Sequence, residues 1–284
     1  MHIVVCIKQV PDSAQIRIHP VTNTIMRQGV PAIINPYDLF SLEEALRIKD
    51  ATGARVTVLT MGPPMAEAAL RKALSFGADS AVLLTDRKFA GSDTLATSYA
   101  LTSAIRKLEE EEPVSIVFCG KQTVDGDTAQ VGPGICTRMG LQQLTYITKI
   151  EDVDLKTNQI TVQRRSEGGV QVLKTSMPCM ITMLEGTNTI RFGTMDDMFR
   201  AARTPLKVWN KDTCVDDENK VGLKGSPTVV SKVFVPKPRA ERAKFIEVDG
   251  SDPVALAAAA VDTVFTAQPK LAADLLGAAA AAGH

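Results

Sequence analysis

The chain has 284 residues, 45% hydrophobic and 23% charged, the make-up of a globular protein with one large domain or a core domain plus a satellite. Its 32 lysines and arginines balance 32 aspartates and glutamates, so no basic excess draws it to nucleic acid. The longest apolar stretch, Val254–Val261, falls far short of the ~20 residues of a membrane span. Five scattered cysteines without a C-x-x-C pair, and three histidines outside metal-ligand spacing, argue against a disulfide framework, a zinc site and an iron–sulfur cluster. If electrons are handled here, an organic cofactor is needed.

The strand-like run Ile3–Ile7 opens the chain with no signal-like segment ahead of it, and a cytoplasmic location in a bacterium or archaeon is expected. Its unbroken apolar character predicts a strand buried on both faces. A small hairpin around His19–Asn23 follows, flanked by Gln15–Ile18 and the residues near Ile25. Asn35-Pro36-Tyr37-Asp38 opens a helix with Leu39, Leu42, Leu46 and Ile48 on its apolar side, Ser41 and Glu44 as a capping box, and Gly53 at its close.

The unit then recurs. Strand Arg55–Thr60 turns through Met61–Pro64 into a helix ending near Gly77, with Pro64 suited to a first helical turn. Strand Ala81–Thr85 leads to a helix from about Asp93 to the acid cluster Glu109–Glu112. Strand Val114–Phe118 leads through the long loop Cys119–Pro133 to a short helix ending near Gly140. Strands separated by helices of this length predict an α/β fold with a doubly wound parallel sheet. After Leu141 the period becomes that of strands: Gln143–Ile150, Gln159–Arg164, Val170–Lys174 and Cys179–Met183 form an antiparallel addition, the last returning to the main sheet. The organisation expected is a nucleotide-binding α/β domain over 1–190, a loop and following segment over 191–235, and a C-terminal arm over 236–284. Residues 191–284 are too polar and discontinuous to fold alone and are expected to pack on another subunit.

In a doubly wound sheet, ligands bind beyond the carboxyl ends of the strands. That rule selects the loops Lys8–Asp12, Met61–Pro64, Asp86–Asp93 and Gly120–Pro133, with the Asn35–Asp38 turn folding over the same edge. Two of these loops combine glycines with a helix start, where free N–H groups attract phosphate. Neither a G-x-G-x-x-G fingerprint nor a P-loop is present, so any dinucleotide is held by another geometry. In Gly120–Pro133, Asp125 and Asp127 would fix the turn, cap the helix or accept ribose hydroxyls, leaving the Thr128–Val131 amides for phosphate. At the second helix entrance, Asp93 or Ser92 is the N-cap, and Thr94, Thr97 and Ser98 line one side of the first turns. Composition and spacing alone leave a plain cap and turn open at both places.

Together these segments resemble the beta subunit of electron transfer flavoproteins over nearly the whole chain. The resemblance is carried by Ile3–Asp12, Asn35-Pro36-Tyr37-Asp38, Thr60-Met61-Gly62-Pro63-Pro64 and the Gly120–Pro133 loop, in the family's order. It implies a heterodimer whose alpha subunit carries a flavin, and an adenine nucleotide held in this chain. The implied nucleotide contacts are Cys6, Asn35, Pro36, Tyr37, Asp38, Met61, Gly62, Gly120, Lys121, Gln122, Thr123, Val124, Asp125, Gly126, Asp127, Thr128, Ala129, Gln130 and Val131, with Tyr37 near the alpha-subunit flavin.

Arg191–Arg200 resembles the family's recognition loop, which docks acyl-CoA dehydrogenases, and Met195 takes the place of its apolar anchor. Where mitochondrial members have leucine, proline and a lysine run, this chain departs from them. Asp93-Thr94-Leu95-Ala96-Thr97-Ser98 and Asp125–Gly132 are similar to the electron-bifurcating members, which hold a second FAD where shuttling members hold AMP. The resemblance therefore implies FAD in this chain, with NADH as donor. It further implies the alpha-subunit FAD, with ferredoxin or flavodoxin and an acyl-CoA dehydrogenase or quinone-linked enzyme as acceptors. The alternatives are a non-bifurcating member with structural AMP and a non-redox adenine-nucleotide-binding regulatory module. No catalytic side chain and no metal ligand are expected.

Overall fold

The computed structural model describes residues 1–12, 17–18, 25–26, 31–230, 246, 252–271 and 273–275, in two units, Met1–Val235 and Pro236–His284. The first unit opens with β1 (His2–Cys6), β2 (Gln9–Pro11), β3 (Arg17–Ile18), β4 (Ile25–Met26), β5 (Ala32–Ile34), α1 (Pro36–Thr52), β6 (Arg55–Met61), α2 (Glu67–Ser75) and β7 (Ser80–Leu84). It continues with α3 (Thr94–Glu109), β8 (Val114–Gly120), α4 (Val131–Met139), β9 (Gln142–Asp154), β10 (Gln159–Ser166), β11 (Gly169–Ser176) and β12 (Cys179–Met183). It ends with α5 (Met195–Arg203), β13 (Lys207–Trp209) and α6 (Lys211–Cys214), and the second unit holds α7 (Pro253–Ala267).

The main sheet has the order β11-β10-β9-β12-β8-β1-β6-β7-β13. Strands β9, β12, β8, β1, β6, β7 and β13 are parallel, while β10 and β11 add to β9 antiparallel. The apolar run of β1 is explained by burial on both faces. Ile3 and Val5 join Val58, Ile116 and Phe118 beneath α1 and α2, whereas Val4 and Cys6 join Leu59, Val117 and Cys119 beneath α3 and α4. From β1 the chain steps outward through β6 and β7, then crosses back to β8 on the other side of β1. The order therefore reverses between β1 and β8, the place beyond whose carboxyl ends sheets of this kind form a ligand crevice.

Helix α1 starts at Pro36 with Asn35 as its N-cap and ends at Gly53, which takes the left-handed conformation (φ 72°) and donates its N–H to Lys49 O. The capping box expected at Ser41 and Glu44 is absent. Proline at the first helical position starts the helix earlier, leaving both residues inside it, where Ser41 Oγ donates to Cys119 O (2.6 Å) and Glu44 accepts from Arg47 and Asn188. Strands β3 and β4 pair antiparallel through Arg17–Met26 and Ile18–Ile25; the turn expected at His19–Asn23 lies outside the described residues.

Residues 191–230, which the sequence sets apart from the core, are built into the first unit. Helix α5 lies against α2, where Arg71 donates to the carbonyls of Ala201 and Thr204 and Arg200 to those of Leu74 and Ala78. Strand β13 then extends the sheet beside β7. Arginine–carbonyl bonds supply what the polar composition of this segment lacks in apolar burial. No described helix is long and apolar enough to cross a membrane.

Candidate functional site

The strand ends selected from sequence meet at the β1/β8 reversal. Cys6 closes β1 and Cys119 lies near the end of β8, both buried on the α3/α4 side. A hydrogen bond between their thiols, then burial, raises the Cys119 thiol well above its ordinary range. Cys119 is therefore not a ready nucleophile.

The turn at the start of α1 ties the crest together. Asn35 and Asp38 are 0% and 4% exposed, so their polar atoms need partners within the protein. Asp38 Oδ2 accepts from Lys8 N (2.7 Å), and Oδ1 accepts from Asn35 Nδ2 (2.9 Å) and Gly120 N (3.2 Å). Asn35 Nδ2 also donates to Gln122 O (2.9 Å), and its Oδ1 accepts from Val124 N (3.1 Å). Burial pushes the Asp38 carboxyl up to about 7, against the pull of these donors and of the Lys8 charge. Gly120 permits the approach: a Cβ there would stand 2.7 Å from Tyr37 Cβ and 2.8 Å from Asp38 N.

Beyond Gly120 the loop is held by contacts to β12, α1 and β9. Lys121 N donates to Met183 O, and its ammonium lies 5.9 Å from the Tyr37 ring and 5.6 Å from the Tyr146 ring. Gly126 N and Asp127 N turn back to Thr123 O, and the Gln122 side chain donates to Asp127. Asp125 accepts both contacts of Lys8 Nζ (2.8 Å each), a pair across the mouth between the loops that follow β1 and β8. Partial burial opposes ionisation of Asp125, but the hydrogen bond and charge of Lys8 hold its carboxyl below the ordinary range.

Asp127 and Ala129 take positive φ (54° and 55°), uncommon for residues with a side chain. With Thr128 and Gln130 they lead into α4, whose N-terminus no side chain caps. Its first N–H groups are free of intrahelical partners by the nature of a helix start.

The α3 entrance is different. Asp93 Oδ1 accepts from Leu95 N (2.9 Å) and Ala96 N (3.1 Å), while Oδ2 accepts from Thr228 N (3.1 Å) and Thr228 Oγ1 (2.8 Å). Desolvation opposes ionisation there, but these donors keep the carboxyl below its ordinary range. Thr94 Oγ1 donates to Gln130 Oε1 (2.8 Å), joining the α3 entrance to the α4 start. Thr97 is half-buried in the next turn. Ser98 is buried in the α3/α4 contact, donating to Leu95 O and accepting from Arg138 Nε. Met61 closes β6, the strand beside β1, and Gly62 just after it donates its N–H to Leu84 O.

Met195 does not join this group. It is the first residue of α5, 66% exposed, and Phe192 just before it is 86% exposed. Thr194 and Asp197 form a capping box there, and Arg191 fixes the segment to α1 through Glu43 (2.9 and 3.0 Å) and Asp50 (2.8 Å). Sequence reasoning missed Lys8, Tyr146, Thr228 and Glu43 as partners. Lys8 and Glu43 carry no local signal that they pair with Asp125 and Arg191, each more than a hundred residues away. Tyr146 shows itself only by its backbone, φ 60° on β9. Among the described residues no cluster of three or more His, Cys, Asp or Glu side chains is placed to hold a metal ion.

The model of the electron transfer flavoprotein domain matches residues 22–213. The chain is 68% identical to Protein FixA of Azotobacter vinelandii over 95% of this chain and 97% of that protein. It is 64% identical to Protein FixA of Azorhizobium caulinodans over 97% of this chain and 98% of that protein. It is 49% identical to the electron transfer flavoprotein subunit beta of Clostridium acetobutylicum, over 82% of this chain and 87% of that protein. With its doubly wound sheet and a match that spans the crest of that sheet, the chain belongs to the electron transfer flavoprotein family and is of the beta-subunit kind.

Proposed function

We propose that this chain is the beta subunit of a heterodimeric, electron-bifurcating electron transfer flavoprotein and that the crevice between β1 and β8 holds FAD. The observation that carries the reading is the uncapped start of α4, preceded by a loop whose Asp127 and Ala129 adopt positive φ. Such a turn and an open helix N-terminus offer main-chain N–H groups and a positive dipole end to a phosphate. Gly126 keeps a side chain from the approach, Gly132 lets the start of α4 pack closely on Thr182 and Met180 of β12, and the Thr94–Gln130 contact lengthens the crest towards α3. Exposed Leu95 and Val124 give apolar surface along it. When bound, FAD supplies redox chemistry between NADH, a low-potential carrier such as ferredoxin or flavodoxin, and the FAD of the alpha subunit, which serves an acyl-CoA dehydrogenase or quinone-linked acceptor. This chain's residues hold and orient it. The exposed Phe192–Met195 corner, fixed to α1 by Arg191, serves as the apolar dock for the acceptor enzyme.

One observation favours AMP instead. The N–H groups of Leu95 and Ala96 at the α3 start are already taken by Asp93, which leaves one open helix N-terminus rather than two. Nucleotide extracted from the purified heterodimer decides: two FAD and no AMP per dimer supports bifurcation, and one of each replaces it with the shuttling form. A colourless complex would replace both with a regulatory module.

A further inference from the structure

We propose that Asn35 and Asp38 are positioning residues of the nucleotide site: their side chains brace the two loops that shape the crevice and do not themselves touch the nucleotide. The proposal rests on the reading of the β1/β8 crevice as a nucleotide site.

The argument is one of hydrogen-bond capacity. Asn35 has two amide hydrogens and one carbonyl oxygen to satisfy, and all are engaged inside the protein, by Asp38, Gln122 O and Val124 N. Both oxygens of Asp38 are engaged too, by Lys8 N, Asn35 and Gly120 N. Both residues are buried, so turning either side chain towards a ligand would strand a main-chain N–H away from water. The partners are not scattered. Lys8 lies in the segment after β1, Gly120 ends β8, and Gln122 and Val124 lie in the loop that follows it, so one pair of side chains sets the separation of both walls. Ser41, one turn further along α1, adds a third tie to Cys119 O.

The brace is sensitive to protonation. The ionisable groups around Asp38 are the Lys8 ammonium, which Asp125 also holds, the Cys119 thiol and, on its own helix, Tyr37. With burial holding Asp38 near 7, its carboxylate form, which accepts from all three donors, gives way to the acid form as pH falls through neutrality. The acid form places an O–H among three N–H donors and loosens the loops.

The test uses the intact heterodimer, with hydrogen exchange at the amides of Lys8, Gly120 and Val124 and with titrations of FAD and of AMP into nucleotide-stripped protein. Asp38→Asn should speed exchange at Lys8 and Gly120. It should also weaken whichever nucleotide binds by about tenfold or more, since a buried donor is left facing a donor. The unaltered protein should bind more weakly as pH falls from 8 to 6, and the variant should show a flat profile. Should Asp38→Asn fail to fold, the pH profile of the unaltered protein and its structure with nucleotide bound still decide. Unchanged exchange in the variant, a flat profile in the unaltered protein, or a nucleotide hydrogen-bonded to the Asn35 or Asp38 side chain would each overturn the proposal. Failure of both FAD and AMP to bind the unaltered protein would remove the nucleotide reading and with it the proposal, while the exchange data would still report whether the brace holds the loops.

Discussion

Gly120 sits where the start of α1 packs on the end of β8, and a single methyl group there has no room. A Cβ there meets Asp38 N at 2.8 Å and Tyr37 Cβ at 2.7 Å, so main chain rather than a flexible side-chain tip must give way. Gly120→Ala should cost about 1–3 kcal/mol, read as a lower urea midpoint at an unchanged slope. A midpoint within error of the parent would mean that the α1 start yields freely. Two buried titrating residues act in opposite directions on stability. His2 is buried with Nε2 on Thr57 Oγ1 (2.8 Å), and burial lowers its pKa from 6.5. The unfolded chain therefore takes up this proton first as pH falls, and stability is lost below about 6.5. Asp38, raised to about 7, holds a proton that the unfolded chain has released, so its contribution is present at low pH and fades as pH rises through 7. Thermal midpoints between pH 5 and 8 should show a steeper acid-side loss in Asp38→Asn and a shallower one in His2→Gln. The reverse ordering would contradict both assignments.

Among the elements, α3 and α4 enter the crevice differently, and the difference predicts which substitutions act through stability. Asp93 caps α3 and also holds Thr228 across a long sequence separation. Asp93→Ala should cost about 1–2 kcal/mol for the lost cap, measured by denaturant unfolding, and free the 226–228 segment as faster amide exchange. Thr94→Val removes only the hydroxyl that reaches Gln130 in front of α4. It should change stability by no more than about 1 kcal/mol while lowering bound flavin, because it moves the open helix start that is proposed to hold the phosphate. Equal loss of flavin and stability in both variants would deny α3 and α4 separate roles. The elements were legible in sequence where burial wrote the pattern. The largely apolar strands β1, β6, β7, β8 and β12 and the glycines after α1 and α4 gave strands and helix ends nearly at their observed bounds. The start of α1 shows how local signals compete, since proline at the first helical position outweighs a serine–glutamate spacing one turn later. Strand β13 is three residues long and polar at its start, so it leaves no periodic trace; α5 is amphipathic, but its attachment to α2 rests on arginine–carbonyl bonds running both ways, which no local pattern announces. At the site, the rule of strand ends located the loops. It could not tell an aspartate that faces a ligand from one already satisfied by a partner far along the chain, as Asp93 is by Thr228.

At the scale of the whole molecule, the two units differ in how much of their apolar surface is covered. Residues of the first enclose two cores, one on each side of the sheet. Helix α7 in the second has no buried residue, and Leu256 and Val264, two turns apart, are 44% and 47% exposed. A 15-residue alanine-rich helix is marginal in water without a surface to pack on, and we propose that the alpha subunit covers α7. Replacing both Leu256 and Val264 by glutamate should then cut co-purification of the alpha subunit about tenfold or more, since two buried aliphatic contacts are each worth about 1.5–3 kcal/mol. Thermal unfolding of the first unit should stay within about 0.5 kcal/mol of the parent, as for substitutions away from its cores. The converse outcome, a less stable first unit that still retains its partner, would place the apolar side of α7 on this chain rather than on the alpha subunit, and the proposed wrapping arm would fall.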